Sequence, residues 1–141
     1  MLGGARSAGA GARLKALVVD DNDVNRMLIA AMLKGIGCEV DLVENGQKAV
    51  DAATDADYDV IFMDVSMPVM DGLEATRQIR ATGARNAGTR IIAVTAHAMV
   101  GDKERFLASG MDGYISKPFR KTDLQAAIDA LRKPATAESR N

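Results

Sequence analysis

Short apolar runs rich in Val and Ile most constrain how this chain can fold. Leu17-Val18-Val19, Val60-Ile61-Phe62-Met63, Ile91-Ile92-Ala93-Val94 and Tyr114-Ile115-Ser116 are such runs. They read as buried strands of a parallel sheet covered on both faces. Each run stops on a residue capable of chemistry: Asp20 and Asp21, then Asp64, Thr95 and Lys117. In open α/β sheets ligands bind outside the carboxyl ends of the strands. Three carboxylates, a hydroxyl and an ammonium therefore line one edge, a set suited to a divalent cation and a phosphoryl group.

The segments between these runs complete five βα units. Strands are expected over about 15–19, 39–43, 59–63, 90–94 and 113–116, and helices over about 23–35, 47–55, 72–82, 99–109 and 121–132. Asn22 or Asp23 can cap the first helix, and Gly35 and Gly37 end it. Its apolar positions Val24, Leu28, Ala31 and Met32 recur at helical spacing, as do Leu124, Ala127, Ile128 and Leu131 in the last helix. Alternating strands and helices imply right-handed crossovers and helices on both faces of the sheet. Residues 1–13 alternate Gly and Ala and read as a flexible leader or linker, and residues 134–141 as a polar tail, leaving one domain over 14–133.

Composition removes several function classes. With 18 basic against 19 acidic residues, bulk charge gives no support for nucleic-acid binding. No apolar run approaches the roughly 18 residues of a membrane span. The leader lacks the apolar core of a signal peptide, so a cytoplasmic setting is expected. Cys38 is the single cysteine, with no histidine nearby to activate it, and fits a packing or surface role in a reducing compartment. Methionines such as Met27, Met32, Met63 and Met99 read as core filler.

In the doubly wound order 2-1-3-4-5, strands one and three are neighbours, which brings Asp20 and Asp21 to Asp64. Close carboxylates repel unless a proton or a cation joins them. An oxygen-only donor set of this kind suits Mg²⁺, which retains waters and favours sites completed by phosphate oxygens. A strand-end carboxylate such as Asp64 can attack phosphorus and form an acyl phosphate. Phosphoryl transfer otherwise needs alignment and charge neutralisation, which Lys117 and Thr95 would supply. Asp71 reads as a helix cap with Gly72 relaxing the turn, Pro118 fixes the backbone after Lys117, and the lone His97 reads as a loop or surface residue.

The stretches Val18-Val19-Asp20-Asp21-Asn22, Met63-Asp64 through Asp71-Gly72, Val94-Thr95-Ala96 and Lys117-Pro118-Phe119 together resemble a two-component response-regulator receiver domain over about residues 14–133. The resemblance implies a flavodoxin-like (βα)5 sandwich and a phosphorylation-dependent signalling switch. Asp64 would accept a phosphoryl group from a histidine kinase or histidine phosphotransfer protein. Asp21, Asp64 and the Ser66 carbonyl would bind Mg²⁺, with Asp20 acting directly or through water; Lys117 and Thr95 would contact the phosphoryl group, and Thr95 with Tyr114 would form the coupled switch. Ser66 and His97 would tune the lifetime of the phosphoryl group, and a downstream protein target would read the surface around the fourth helix, fifth strand and fifth helix. Asp21 through Arg26, Gly72 through Thr76 and Thr95 through Met99 are similar to receivers carried by hybrid sensor histidine kinases.

Two other classes compete. A haloacid-dehalogenase-type Mg²⁺ phosphatase also uses a strand-end aspartate, but looks for a second Asp two positions later, where Ser66 stands. A flavodoxin-like ligand binder would need a Gly-rich phosphate loop that this chain lacks.

Overall fold

A computed structural model describes residues 14–65, 71–81, 89–95, 101–117 and 119–132. In chain order the elements are β1 (Lys15–Val19), α1 (Asp23–Ile36), β2 (Glu39–Val43), α2 (Gly46–Asp55), β3 (Val60–Asp64), α3 (Gly72–Ala81), β4 (Arg90–Thr95), α4 (Asp102–Ala108), β5 (Gly113–Ser116) and α5 (Lys121–Arg132). All strand pairs are parallel, in the order β2-β1-β3-β4-β5, the doubly wound order expected from the alternation of runs and helices.

Successive side chains of a strand point to opposite faces, and the core divides accordingly. Leu17, Val19, Ile61, Met63, Ile91 and Ala93 pack with Ala49, Val50 and Ala53 of α2, Ala75 and Ile79 of α3, and Phe106 of α4. Ala16, Val18, Val60, Phe62, Ile92 and Val94 pack with Ile29 and Leu33 of α1, Leu124 and Ile128 of α5, and Cys38. Every residue of β3 is buried, which explains the unbroken apolar run Val60 to Met63. Truncating a fully buried Leu33 or Ile128 to Ala costs about 2–5 kcal/mol in such a core.

Local signals set the helix ends. Asn22 caps α1 by accepting a hydrogen bond from the Asn25 N–H at 3.0 Å, and Asn45 caps α2 from Lys48 N–H at 2.8 Å. The first helix runs through Gly35 to Ile36 and ends at Gly37, whose φ of 108° needs a residue without a Cβ. The fourth helix is shorter than expected. It begins at Asp102 behind Gly101, with φ 92°, and residues 99 and 100 of the expected span lie outside the described residues. The leader, the tail, Ser66, His97, Met99 and Pro118 lie there too.

The face of α1 is a correction. Ile29, Ala30 and Leu33 are buried, whereas Val24 is 71% exposed, Met27 68% and Leu28 45%, with Ala31 exposed and Met32 half-buried. Met27 is therefore not core filler. The segment Met27 to Leu33 is apolar almost all round, so its spacing alone does not say which side meets the sheet.

Candidate functional site

Asp20 follows β1, and Asp64 is the last residue of its neighbour β3. Thr95 ends β4 one step beyond Val94, the partner of Asp64 in the sheet, and Lys117 follows β5. Parallel pairing thus carries residues distant in sequence to one edge. Carboxylate oxygens of Asp20, Asp21 and Asp64 lie within 4.8 Å of one another. Asp20 and Asp64 are 1% and 4% exposed, while Asp21 faces solvent. Lys117 Nζ stands 3.5 Å from Asp20 Oδ2 and 3.8 Å from Asp64 Oδ1.

Asp20 is fixed on every side but one. Its N–H donates to Val43 O at 3.3 Å, its carbonyl accepts from Arg26 Nη1 at 2.7 Å, and Oδ1 accepts from Asn22 N–H at 2.9 Å. Oδ2 is buried with no hydrogen-bond partner among the described residues. A buried carboxylate oxygen without a donor costs free energy, and its natural complement is a cation. The donor set is all oxygen and mixes buried with exposed groups, which fits a hard divalent ion that keeps part of its water shell.

Lys117 is itself seated by its backbone, whose N–H donates to Thr95 O at 2.7 Å, tying the ends of β4 and β5 together. Thr95 is buried at 7% exposure. Tyr114 faces outward: β5 is a half-exposed edge strand rather than the covered one expected of its run, and Tyr114 on it is 41% exposed, with its ring 6.1 Å from that of Phe106 on α4. Asp71 has the capping role expected of it, accepting from Glu74 N–H at 2.9 Å.

Three contributors were not legible from spacing. Arg26 has its guanidinium between Asp20 O and Asp23, with which it forms an ion pair. Gly72 is seated on the peptide that follows Asp64, donating its N–H to Val65 O at 3.1 Å. Arg80 ties α3 to the β5 side: Nε and Nη2 donate to Gly110 O, Nη1 to Thr89 O, and Nη2 pairs with Asp112 Oδ2 at 2.9 Å. A basic residue at the end of α3 was the one available signal for the last of these.

A doubly wound parallel sheet with an acidic cluster at its switch point and a lysine beside it defines an α/β protein whose site suits a divalent cation and an anionic ligand. Residues 16–129 match the response regulator receiver domain, and the chain belongs to that family. The sensor protein GacS of Pseudomonas syringae pv. syringae is 44% identical over 128 residues, covering 86% of this chain and 14% of GacS. Hybrid signal transduction histidine kinase I of Dictyostelium discoideum is 43% identical over 82% of this chain and 7% of its own length. The chain thus spans only a small part of the curated relatives it matches. Among solved structures, the receiver domain of a Pseudomonas aeruginosa PAO1 sensor histidine kinase, with a magnesium ion coordinated in its active site cleft, aligns with a TM-score of 0.79 at 43% identity, over 86% of this chain and 98% of that one. The receiver domain of Ssk1 from Saccharomyces cerevisiae, crystallised with the phosphotransfer protein Ypd1, aligns with a TM-score of 0.77 at 31% identity, over 82% and 86%. The chain is a phosphorelay receiver domain, and nothing supports the phosphatase alternative.

Proposed function

We propose that Asp64 is the phosphoacceptor of this receiver, taking its phosphoryl group from a phosphohistidine. The carrying observation is a buried carboxylate at the end of the central strand, flanked by the carboxylates of Asp20 and Asp21 and facing the Lys117 ammonium. An Asp64 oxygen attacks phosphorus as the P–N bond to the donor imidazole breaks. The bond pair returns to the ring nitrogen, and the product is an aspartyl phosphate.

Asp20, Asp21 and Asp64 would hold Mg²⁺, with the Ser66 carbonyl as a further donor; the magnesium of the P. aeruginosa relative supports this reading. When bound, the ion offsets carboxylate and phosphoryl charge. Lys117 would turn to the phosphoryl oxygens, and the Thr95 hydroxyl would donate to one of them. Tyr114, outward here, would exchange its exposed position for one nearer Thr95, biasing the α4–β5 surface that a downstream protein reads. Ser66 and His97 would govern access of the water that hydrolyses the aspartyl phosphate. Self-catalysed phosphorylation and dephosphorylation of this kind is an activity of the switch rather than turnover of a substrate.

The donor would be a histidine kinase or phosphotransfer protein in the cytoplasm, and the hybrid-kinase relatives support an origin within such a kinase. Val24, Met27 and Leu28 form an exposed apolar face on the helix that starts two residues after Asp21. A donor that seats on this face presents its phosphohistidine beside the acidic cluster, and the Ypd1-bound relative supports a partner of this chemistry.

Incubation with Mg²⁺ and acetyl phosphate tests the proposal by intact mass. Wild type gains one phosphoryl group and Asp64→Asn gains none. An unmodified wild type, or equal gain on Asp64→Asn, overturns it.

A further inference from the structure

We infer that Gly72 is a positioning residue for Asp64, and that its missing side chain, rather than backbone freedom, is what the site requires. This rests on Asp64 being the phosphoacceptor.

Gly72 opens α3 and is buried. Its φ is not among the positive values found at Gly37, Gly101 and Gly110, so any residue adopts its backbone conformation. Space is what excludes a side chain. A Cβ here would overlap the carbonyl oxygen of Asp64 outright, and would lie 3.1 Å from the Asp64 carbonyl carbon and 3.0 Å from Met63 Cγ. The obstacle is backbone, which cannot rotate away as a side-chain end does.

Neither partner of this contact gives way freely. Asp64 ends β3, which is paired on both sides, and the next residue, Val65, donates its N–H to Val94 O at 3.2 Å. On the other side, the first turn of α3 is held by Gly72 N–H to Val65 O and by Thr76 Oγ1, which donates to Gly72 O at 2.8 Å. Ala75, Thr76 and Ile79 are buried behind it, and Arg80 anchors the far end of the helix. A methyl group at position 72 therefore pushes on the peptide that carries the Asp64 carboxylate. That carboxylate must meet Asp20 and Asp21 around one ion, and Mg²⁺ tolerates little departure from octahedral geometry. Misplacing a reacting atom by about 1 Å costs up to about 100-fold in rate.

The test compares wild type, Gly72→Ala and Gly37→Ala. The last carries strain at φ 108°, with open space around its Cβ and no link to the site, and so controls for lost stability. Mg²⁺ affinity is read by calorimetry, and phosphorylation by acetyl phosphate is read as its saturated rate and half-saturating concentration. Gly72→Ala is expected to weaken Mg²⁺ binding about 10-fold or more and to lower the saturated rate, whereas Gly37→Ala keeps both. Wild-type Mg²⁺ affinity in Gly72→Ala shows that α3 yields instead, and overturns the inference. If Gly72→Ala is unfolded in plain buffer, the titration is repeated in sucrose, which favours the compact state. A chain still unfolded there also overturns it, because the role is then the fold's and not the site's. If wild type takes no phosphoryl group, the phosphoacceptor assignment fails by itself, and the calorimetric comparison still decides whether Gly72 sets the carboxylate geometry.

Discussion

The Lys117 ammonium stands 3.5 Å from the buried Oδ2 of Asp20, an oxygen with no hydrogen-bond donor among the described residues. Without a metal, this ammonium is a positive charge close to both Asp20 and Asp64. Lys117→Met should therefore lower metal-free stability by about 1–2 kcal/mol, because it leaves two buried carboxylates facing each other. Saturating Mg²⁺ should narrow the gap, since the ion takes over the neutralisation. Melting curves in EDTA and in Mg²⁺ check this, and a gap of equal size in both would refute it.

Asp20→Asn and Asp21→Asn should separate in the same assay. Both remove a donor and should weaken Mg²⁺ binding about 10-fold or more. Only Asp20 is buried, so only Asp20→Asn should raise metal-free stability, by about 1 kcal/mol, through relief of carboxylate repulsion. Asp21 is exposed and its loss should leave the metal-free melting temperature nearly unchanged. Destabilisation by Asp20→Asn in EDTA would show that the lost ion pair with Lys117 outweighs the repulsion.

The strand ends carried most of what was legible. Val60 to Met63 reads as a covered strand because both of its faces are in fact packed, and its last residue is then fixed at the sheet edge. The same periodicity failed on α1, where Val24 and Leu28 compete with Ile29 and Leu33 at equivalent spacing. Which set faces the sheet depends on how the helix enters after Asn22, a tertiary matter. Arg80 and Asp112 are 32 residues apart and meet because the end of α3 and the residue before β5 both bond to the chain at the start of β4. Gly72 was legible as a glycine in a turn, but the Asp64 peptide against it was not.

Arg80 gives a stability prediction with a geometric control. Its fork binds Gly110 O, Thr89 O and Asp112 at once. Arg80→Ala should cost about 2–3 kcal/mol in urea unfolding, and Arg80→Lys should recover less than half, since an ammonium cannot span three acceptors. Asp112→Ala should cost about 1–2 kcal/mol, because Asp112 Oδ2 also accepts from Ile91 N–H at 2.8 Å. Full recovery by lysine would reduce the contact to simple charge pairing.

The exposed face of α1 predicts a split between donors. Met27→Glu introduces charge where the protein offers apolar surface, without touching the core. Phosphotransfer from a phosphohistidine protein should slow about 10-fold or more, while phosphorylation by acetyl phosphate, which needs no docking surface, should keep its wild-type rate. Equal slowing with both donors would mean that the substitution disturbs the site itself.

Tyr58 predicts how stability falls in alkali. Its hydroxyl donates to Asp41 Oδ2 at 2.7 Å, and burial, that hydrogen bond and the charges of Asp41 and Asp55 push the phenol far above its ordinary range. In the unfolded chain Tyr58 releases its proton near pH 10, roughly its unperturbed value, while the native protein retains it. Above that pH the unfolded state binds fewer protons than the native state, so stability falls as pH rises, by up to about 1.4 kcal/mol per pH unit from this group. Below about pH 10 both states hold the proton, and the stabilisation is fully present. Tyr58→Phe should be less stable at pH 7 by about 1–2 kcal/mol, and should lose less on going from pH 9 to pH 11. Urea unfolding across that range reads the difference, and parallel alkaline limbs for the two proteins would place the titration elsewhere.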